Sequence, residues 1–268
     1  MTRPVRVAVQ IQPGGTPDYR TWREAVLAAD DLGVDVIFGY DHFHLPAMEG
    51  IVDGKPIMSD VQPDVANFEG WTALASWGEI TSHAEIGLLV TGVGYRNADL
   101  LADMARTVDH ISGGRLILGL GAGWYEKDYT TYGYDFGTFG SRFDLFDDSL
   151  IRIENRLAAL IPPPVRKLPI LIGGTGPKRS LPAVARHADI WHAFQDLDAF
   201  RKSSDRVDEL AATFGRNGAD IERSTLWENP RSADAFREAG VTLFQTELTA
   251  ANGYDLAALK EVLTWRDQ

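Results

Sequence analysis

No cysteine occurs in the 268 residues. Disulfides, thiolate nucleophiles, cysteine-ligated zinc and iron–sulfur clusters are thereby excluded. Positive charge is also scarce: 26 Lys and Arg face 38 Asp and Glu, a formal net charge of −12. Non-specific nucleic-acid binding depends on cations that neutralise phosphates, so it is not expected. An anionic ligand would need a locally favourable pocket. No uncharged apolar run reaches the ~20 residues that cross a bilayer, and none follows the charges of Met1-Thr2-Arg3-Pro4-Val5-Arg6. A signal peptide and a membrane span are therefore not expected, and the cytoplasm is the default location. Linkers, repeats and composition breaks are missing too, which leaves residues 1–268 as one domain. What is present is a 44% hydrophobic composition, ordinary for a chain with a sizeable core.

Short β-branched runs alternate with amphipathic helical stretches almost from end to end. The strands expected are Val5–Ile11, Val34–Gly39, Glu85–Thr91, Arg115–Gly121, Pro169–Gly173, Asp189–Phe194, Ser224–Trp227 and Val241–Thr246. Runs such as Leu116-Ile117-Leu118 and Ile170-Leu171-Ile172 are apolar throughout, as parallel strands covered on both faces must be. Between the strands, Thr21-Trp22-Arg23-Glu24 reads as a capping box, and Asn97 and Asp255 read as caps of later helices. Phe143, Phe146, Leu150, Ile153, Leu157 and Leu160 step by three and four, which marks a core-facing helix. Eight strand–helix units fit a closed (β/α)8 TIM barrel better than an open doubly wound sheet. The segments Tyr40–Asn67 and Trp124–Gly140 are too long for plain loops and follow strands two and four. In a barrel both lie at the C-terminal mouth, where active sites are built.

Four stretches carry candidate chemistry. Asp41-His42-Phe43-His44 places a histidine beside a carboxylate, and histidine can give or take a proton near neutral pH. The same residues also fit plain loop polarity or, less well, a metal-binding His-x-His, for which no Asp follows strand eight. Gly119-Leu120-Gly121-Ala122-Gly123-Trp124 lacks the setting of a Rossmann turn; its glycines let the backbone approach a flat ligand or fit a tapering barrel. Gly173-Gly174-Thr175-Gly176-Pro177 reads as a strand running into a helix N-terminus with Pro177 at its first position. Free N–H groups there favour an anion such as phosphate, and Lys178 and Arg179 add positive charge. Finally, Arg96 at the exit of strand three can pair with an anionic ligand or with a nearby carboxylate. Trp71 and Trp77 fit packing within a helix.

Taken in order, these segments resemble the luciferase-like monooxygenase superfamily, in its branch of coenzyme F420-dependent oxidoreductases. Leu89-Val90-Thr91-Gly92-Val93-Gly94-Tyr95-Arg96-Asn97 and Ser112 through Trp124 carry the resemblance most specifically. Asp41-His42-Phe43, Pro169 through Gly174 and Trp265-Arg266-Asp267 support it. The resemblance implies a barrel whose mouth binds a deazaflavin, with His42 as proton donor or acceptor and Asp41 contacting the ring system. It implies that Leu89, Val90, Thr91, Gly92 and Trp124 lie around the ring, with a non-proline cis peptide at Leu89-Val90. Gly173, Gly174, Thr175 and Gly176 would receive the phosphate. Hydride transfer between reduced F420 and a small organic substrate is the activity expected, and homodimers are common in that family. FMN with oxygen activation, or a non-catalytic flavin- or F420-binding barrel, are the alternatives. Trp124 stands where sugar-phosphate-oxidising relatives carry a glutamate acid, so that substrate is not expected. The stretch Leu160-Ile161-Pro162-Pro163-Pro164 also leads to strand five without the excursion that relatives have.

Overall fold

The computed structural model describes residues 3–52, 55–60 and 64–268. Its centre is a closed parallel barrel of β1 (Arg6–Ile11), β2 (Val36–Gly39), β3 (Glu85–Leu88), β4 (Leu116–Gly121), β5 (Ile170–Gly173), β6 (Ile190–His192), β7 (Glu222–Leu226) and β8 (Val241–Leu248). Each strand pairs with the next, and β8 returns to β1 with Arg6 opposite Leu243 and Ile11 opposite Leu248. The ring closes on the other side where Ile86 and Gly87 of β3 meet Leu116 and Ile117 of β4. After β3 the chain makes a cis peptide at Leu89-Val90. It then rejoins β4 through Thr91 and Gly92, opposite Leu120 and Gly121.

Helices cover the barrel: α1 (Tyr19–Asp31), α2 (Gly70–Ile80), α3 (Ala98–Ile111), α4 (Glu126–Thr131), α5 (Phe139–Ala159), α6 (Ser180–His187), α7 (Leu197–Thr213), α8 (Pro230–Glu238) and α9 (Ala257–Arg266). The apolar side chains of the strands divide between two environments. Val7, Val9, Ile11, Ile37, Ile86, Leu116, Leu118, Leu120 and Trp191 pack outward against the helices. Ala8, Val36, Phe38, Ile117, Leu171, Ile190 and Leu243 fill the lumen, with Leu89 and Val90 lying over them. This is why the strands read as unbroken apolar runs.

Several local expectations need correction. α1 is capped by Asp18, which accepts from Thr21 N at 2.8 Å, so Thr21 sits inside the helix rather than opening a capping box. α6 begins at Ser180, and Pro177 belongs to the turn before it instead of the first helical position. Asn97 does cap α3, accepting from Asp99 N and Leu100 N. Asp255 accepts from Ala257 N at the start of α9. The long segment after β2 holds an antiparallel hairpin, Met48–Val52 with Lys55–Met58, that the apolar pattern does not announce. Residues 53–54 and 61–63 of that segment lie outside the described residues.

Two charged groups fix the barrel's lower turns. The Asp30 carboxylate at the end of α1 accepts the N–H groups of Ser82, His83 and Ala84, which orders the approach to β3. Arg115 at the foot of β4 donates to Gly78 O, Thr81 O, Ala84 O and Ser112 O. A half-buried cation satisfied by carbonyls in this way ties α2, α3 and β4 together without an acidic partner.

Candidate active site

The segments after β2 and β4 meet at one residue that the sequence does not advertise. Asp128, on α4 and fully buried, takes the Nδ1 of His42 on Oδ2 at 2.6 Å. Its Oδ1 takes the Nδ1 of His44 at 2.9 Å and the N–H groups of Phe43 and His44 at 3.1 and 3.0 Å. The Tyr95 hydroxyl donates to Oδ2 at 3.1 Å. Burial works to raise the Asp128 pKa, but its hydrogen bonds to His42, His44 and Tyr95 outweigh that, and the carboxyl titrates below its ordinary range. An ionised acceptor on Nδ1 makes Nδ1 the protonated nitrogen of neutral His42, and Nε2 is the one left to exchange a proton. Trp124 and Tyr125 stand edge to face against the His42 ring, with centroids 5.3 and 5.7 Å away. Asn67 holds the loop from behind, donating to His42 O at 2.8 Å.

Asp41 has a different task. Both its oxygens accept from Arg96, at 2.5 and 3.0 Å, and Arg96 also donates to Glu69 at 2.6 Å. The Asp41 side chain is closed to solvent. Burial lifts its pKa to about 6 against the pull of Arg96. At neutral pH the pair is ionised, and it joins the exits of β2 and β3 to the cap of α2. Arg96 is thus engaged by carboxylates. The side chain of Asp41 is committed to Arg96 rather than open to the mouth.

Leu89 and Val90 lie over the lumen, and Gln10 Nε2 donates to Leu89 O at 2.9 Å. Thr91 is buried, and its hydroxyl accepts from the Trp71 indole at 3.0 Å, on the helix side of the strand. Gly92 leaves room for the Tyr95 ring, 2.9 Å from where its Cβ would stand. The β4 glycines serve the protein itself. A Cβ on Gly119 would lie 2.0 Å from Leu88 O, and one on Gly121 2.7 Å from Val90 Cγ2. They let β3 and its exit cross close to β4, as the tapering-barrel reading expects.

The loop after β5 is built differently. Gly174 has φ +120, a conformation L side chains rarely adopt, and Ser180 Oγ lies 3.1 Å from the Cβ positions of both Gly174 and Gly176. Gly174 is tied down through its carbonyl to Trp191 Nε1 at 2.8 Å and its N–H to His192 O at 3.2 Å. Among the described residues the N–H groups of Thr175 and Gly176 donate to no protein acceptor. Open amides beside α6 suit an anion. The charge expected from Arg179 is offset, because it pairs with Asp144 and Asp147 of α5 at 2.7 and 2.9 Å.

Two further polar groups escape sequence reasoning. His192 and Gln245 are buried in the lumen, and His192 Nε2 and Gln245 Oε1 have no hydrogen-bond partner. Open amides on the β5 loop and unpaired polar atoms inside the mouth together fit a ligand with a phosphate and a polar ring, as flavins and deazaflavins have. No three His, Asp or Glu side chains cluster as metal ligands among the described residues. No helix there is long and apolar enough to cross a membrane.

Comparison with known proteins agrees with this geometry. The family model for luciferase-like monooxygenases matches residues 3–227. The chain is 30% identical over 190 residues to the phthiodiolone/phenolphthiodiolone dimycocerosates ketoreductase of Mycobacterium tuberculosis, covering 63% of this chain and 49% of that one. It therefore spans about half the length of that relative. Among solved structures, an F420-dependent secondary alcohol dehydrogenase in complex with an F420-acetone adduct superposes with TM-score 0.80 at 14% identity. That match covers 98% of this chain and 99% of the other. A riboflavin lyase with modified FMN and riboflavin gives TM-score 0.69 at 13% identity, over 89% of this chain and 66% of the other. At such identities the likeness establishes the barrel fold.

Proposed function

The chain belongs to the luciferase-like monooxygenase family, and from that premise we propose that it is an oxidoreductase that moves hydride between coenzyme F420 and a small organic substrate. The observation that carries this reading is the hold of Asp128 on His42 Nδ1 at 2.6 Å, which leaves Nε2 as the proton donor or acceptor. The relatives named for F420 chemistry support the choice of cofactor. When bound, the deazaflavin supplies the hydride acceptor and donor; the protein's part is position and electrostatics. Thr175 N and Gly176 N would hold its phosphate, and Val90 would support the ring.

His42 gives a proton to the oxygen of a carbonyl substrate as it becomes an alcohol, or takes one in the reverse direction. Asp128 keeps the imidazole oriented and stabilises its charged form. Trp124 and Tyr125 limit water around the ring, so the exchange is directed at the substrate. A glutamate acid is not available at Trp124, which leaves proton transfer to His42.

Titration with F420 and FMN side by side tests the cofactor. F420 is expected to bind at least tenfold more tightly, and tighter FMN binding would replace this reading with a flavin-dependent one. His42→Ala is expected to lower kcat by roughly 10²–10⁴-fold with cofactor affinity kept. Unchanged turnover would remove His42 from the chemistry, and turnover absent from the wild type with every substrate class tried would favour a binding protein.

A further inference from the structure

The barrel lumen is apolar at mid-height and polar one step closer to the mouth. Ile190 on β6 and Leu243 on β8 face inward. Side chains alternate along a strand, so His192 and Gln245, two residues further on, face the same lumen. Each is 1% exposed. His192 Nδ1 lies 2.8 Å from Ser224 Oγ, while its Nε2 is unpaired. Gln245 donates through Nε2 to Thr246 O at 3.3 Å, while its Oε1 is unpaired. Branched apolar residues usually fill such layers, and an unmet buried polar group destabilises the fold. Burial also drives the His192 pKa down to about 3, so the ring is neutral wherever the protein is folded at ordinary pH.

The other side of the lumen is shaped for a flat face. Gly119 and Gly173 stand two residues above the inward-facing Ile117 and Leu171 and bring no side chain. Leu88 O lies against Gly119, 2.0 Å from its Cβ position, and Val90 covers both glycines, with Cγ1 3.3 and 3.8 Å from their Cβ positions. A planar ligand lying on Val90 would turn an edge toward β6 and β8.

We propose that His192 and Gln245 form a neutral donor–acceptor pair that reads the imide edge, –CO–NH–, of the ring bound in the mouth. This rests on the functional reading above, because deazaflavins and flavins share that edge in their pyrimidinedione ring. Ser224 donates its hydroxyl to Nδ1 and so fixes the proton on Nε2. Nε2–H then donates to a ring carbonyl, and Gln245 Oε1 accepts the ring N3–H. Both orphaned atoms are satisfied by one ligand edge, and no charge is buried.

The test uses F420, FMN and the N3-methyl derivatives of both, titrated by ligand absorbance and fluorescence. N3-methylation is expected to weaken binding to the wild type at least tenfold. In Gln245→Leu the methylated and unmethylated ligands are expected to bind within about twofold of each other. In His192→Leu both are expected to bind at least tenfold more weakly than to the wild type, with the methyl penalty kept. Both ligand-free variants are expected to melt at higher temperature than the wild type. Equal binding of both forms by the wild type overturns the proposal, and that arm needs no variant. So does a methyl penalty that survives in Gln245→Leu, or a fall in the variants' melting temperature, which would make the pair structural. A wild type that binds none of the four ligands instead sinks the functional reading itself.

Discussion

At Asp128 one carboxylate sets the orientation of two histidines and the path of the loop that carries them. Its Oδ1 faces the N–H groups of Phe43 and His44, and its Oδ2 faces His42. In Asp128→Asn the amide oxygen can keep the backbone bonds, which turns the NH2 toward His42. A donor there forces the proton of neutral His42 from Nδ1 to Nε2 and removes the countercharge for the imidazolium. Turnover is expected to fall by roughly 10²-fold or more, with F420 affinity within threefold of wild type. Steady-state kinetics and a binding titration check this; a lost affinity with intact kcat would contradict it. The sequence could not single out Asp128, because 86 residues separate it from His42 and only the fold brings them together. His42 was legible from its place beyond a strand, but the adjacent Asp41 does not hold its ring: neighbouring residues on an extended chain point apart, and Asp41 turns to Arg96.

His192 makes a second prediction at this scale, now for stability. Its folded pKa lies near 3 against 6.5 for an ordinary histidine. Above pH 6.5 neither folded nor unfolded chain binds the proton, and the full stability is present. As pH falls from 6.5 toward 3, the unfolded chain takes up a proton that the fold refuses, and stability is lost by up to ~1.4 kcal/mol per pH unit. His192→Leu should remove that slope. Urea unfolding between pH 7 and pH 4 reads it, and parallel acid limbs in variant and wild type would show that the ring is accessible to protons.

Among the elements, β4 is the most constrained by its neighbours. A Cβ at Gly119 meets the Leu88 carbonyl, a backbone atom that cannot turn aside, whereas one at Gly121 meets the end of the Val90 side chain. Gly119→Ala should therefore destabilise by about 3 kcal/mol or more, and Gly121→Ala by about 1. Denaturant midpoints give the ranking, and the reverse order would mean that β3 yields more easily than Val90. The barrel strands were legible because packing on both faces writes continuous apolar runs. Strand ends moved by a residue or two, as at Glu222–Leu226, where Glu222, Arg223 and Ser224 are buried and polar. The hairpin of Met48–Val52 and Lys55–Met58 was not legible, since its apolar residues Met48 and Ile57 are exposed rather than turned to a core. Pro177 misled for a local reason: glycines at 174 and 176 let the chain turn three residues before α6 starts.

At the scale of the whole molecule, charge decides how an anionic cofactor arrives. The net charge is −12, and the arginines nearest the β5 loop and the β3 exit are neutralised: Arg179 by Asp144 and Asp147, Arg96 by Asp41 and Glu69. Approach to the mouth is therefore uphill at long range, and only the open amides of Thr175 and Gly176 reward contact. Salt screens the first effect far more than the second, since the Debye length falls from about 30 Å at 0.01 M to about 8 Å at 0.15 M. The association rate of F420 or FMN should thus rise by about 2–5-fold over that range, while dissociation changes little. Stopped-flow fluorescence separates the two rates. An association rate that falls with salt would mean that Lys178, unpaired among the described residues, dominates the field at the mouth. Lys178→Gln would then abolish the dependence, and the cofactor would be steered by one lysine against the charge of the rest of the protein.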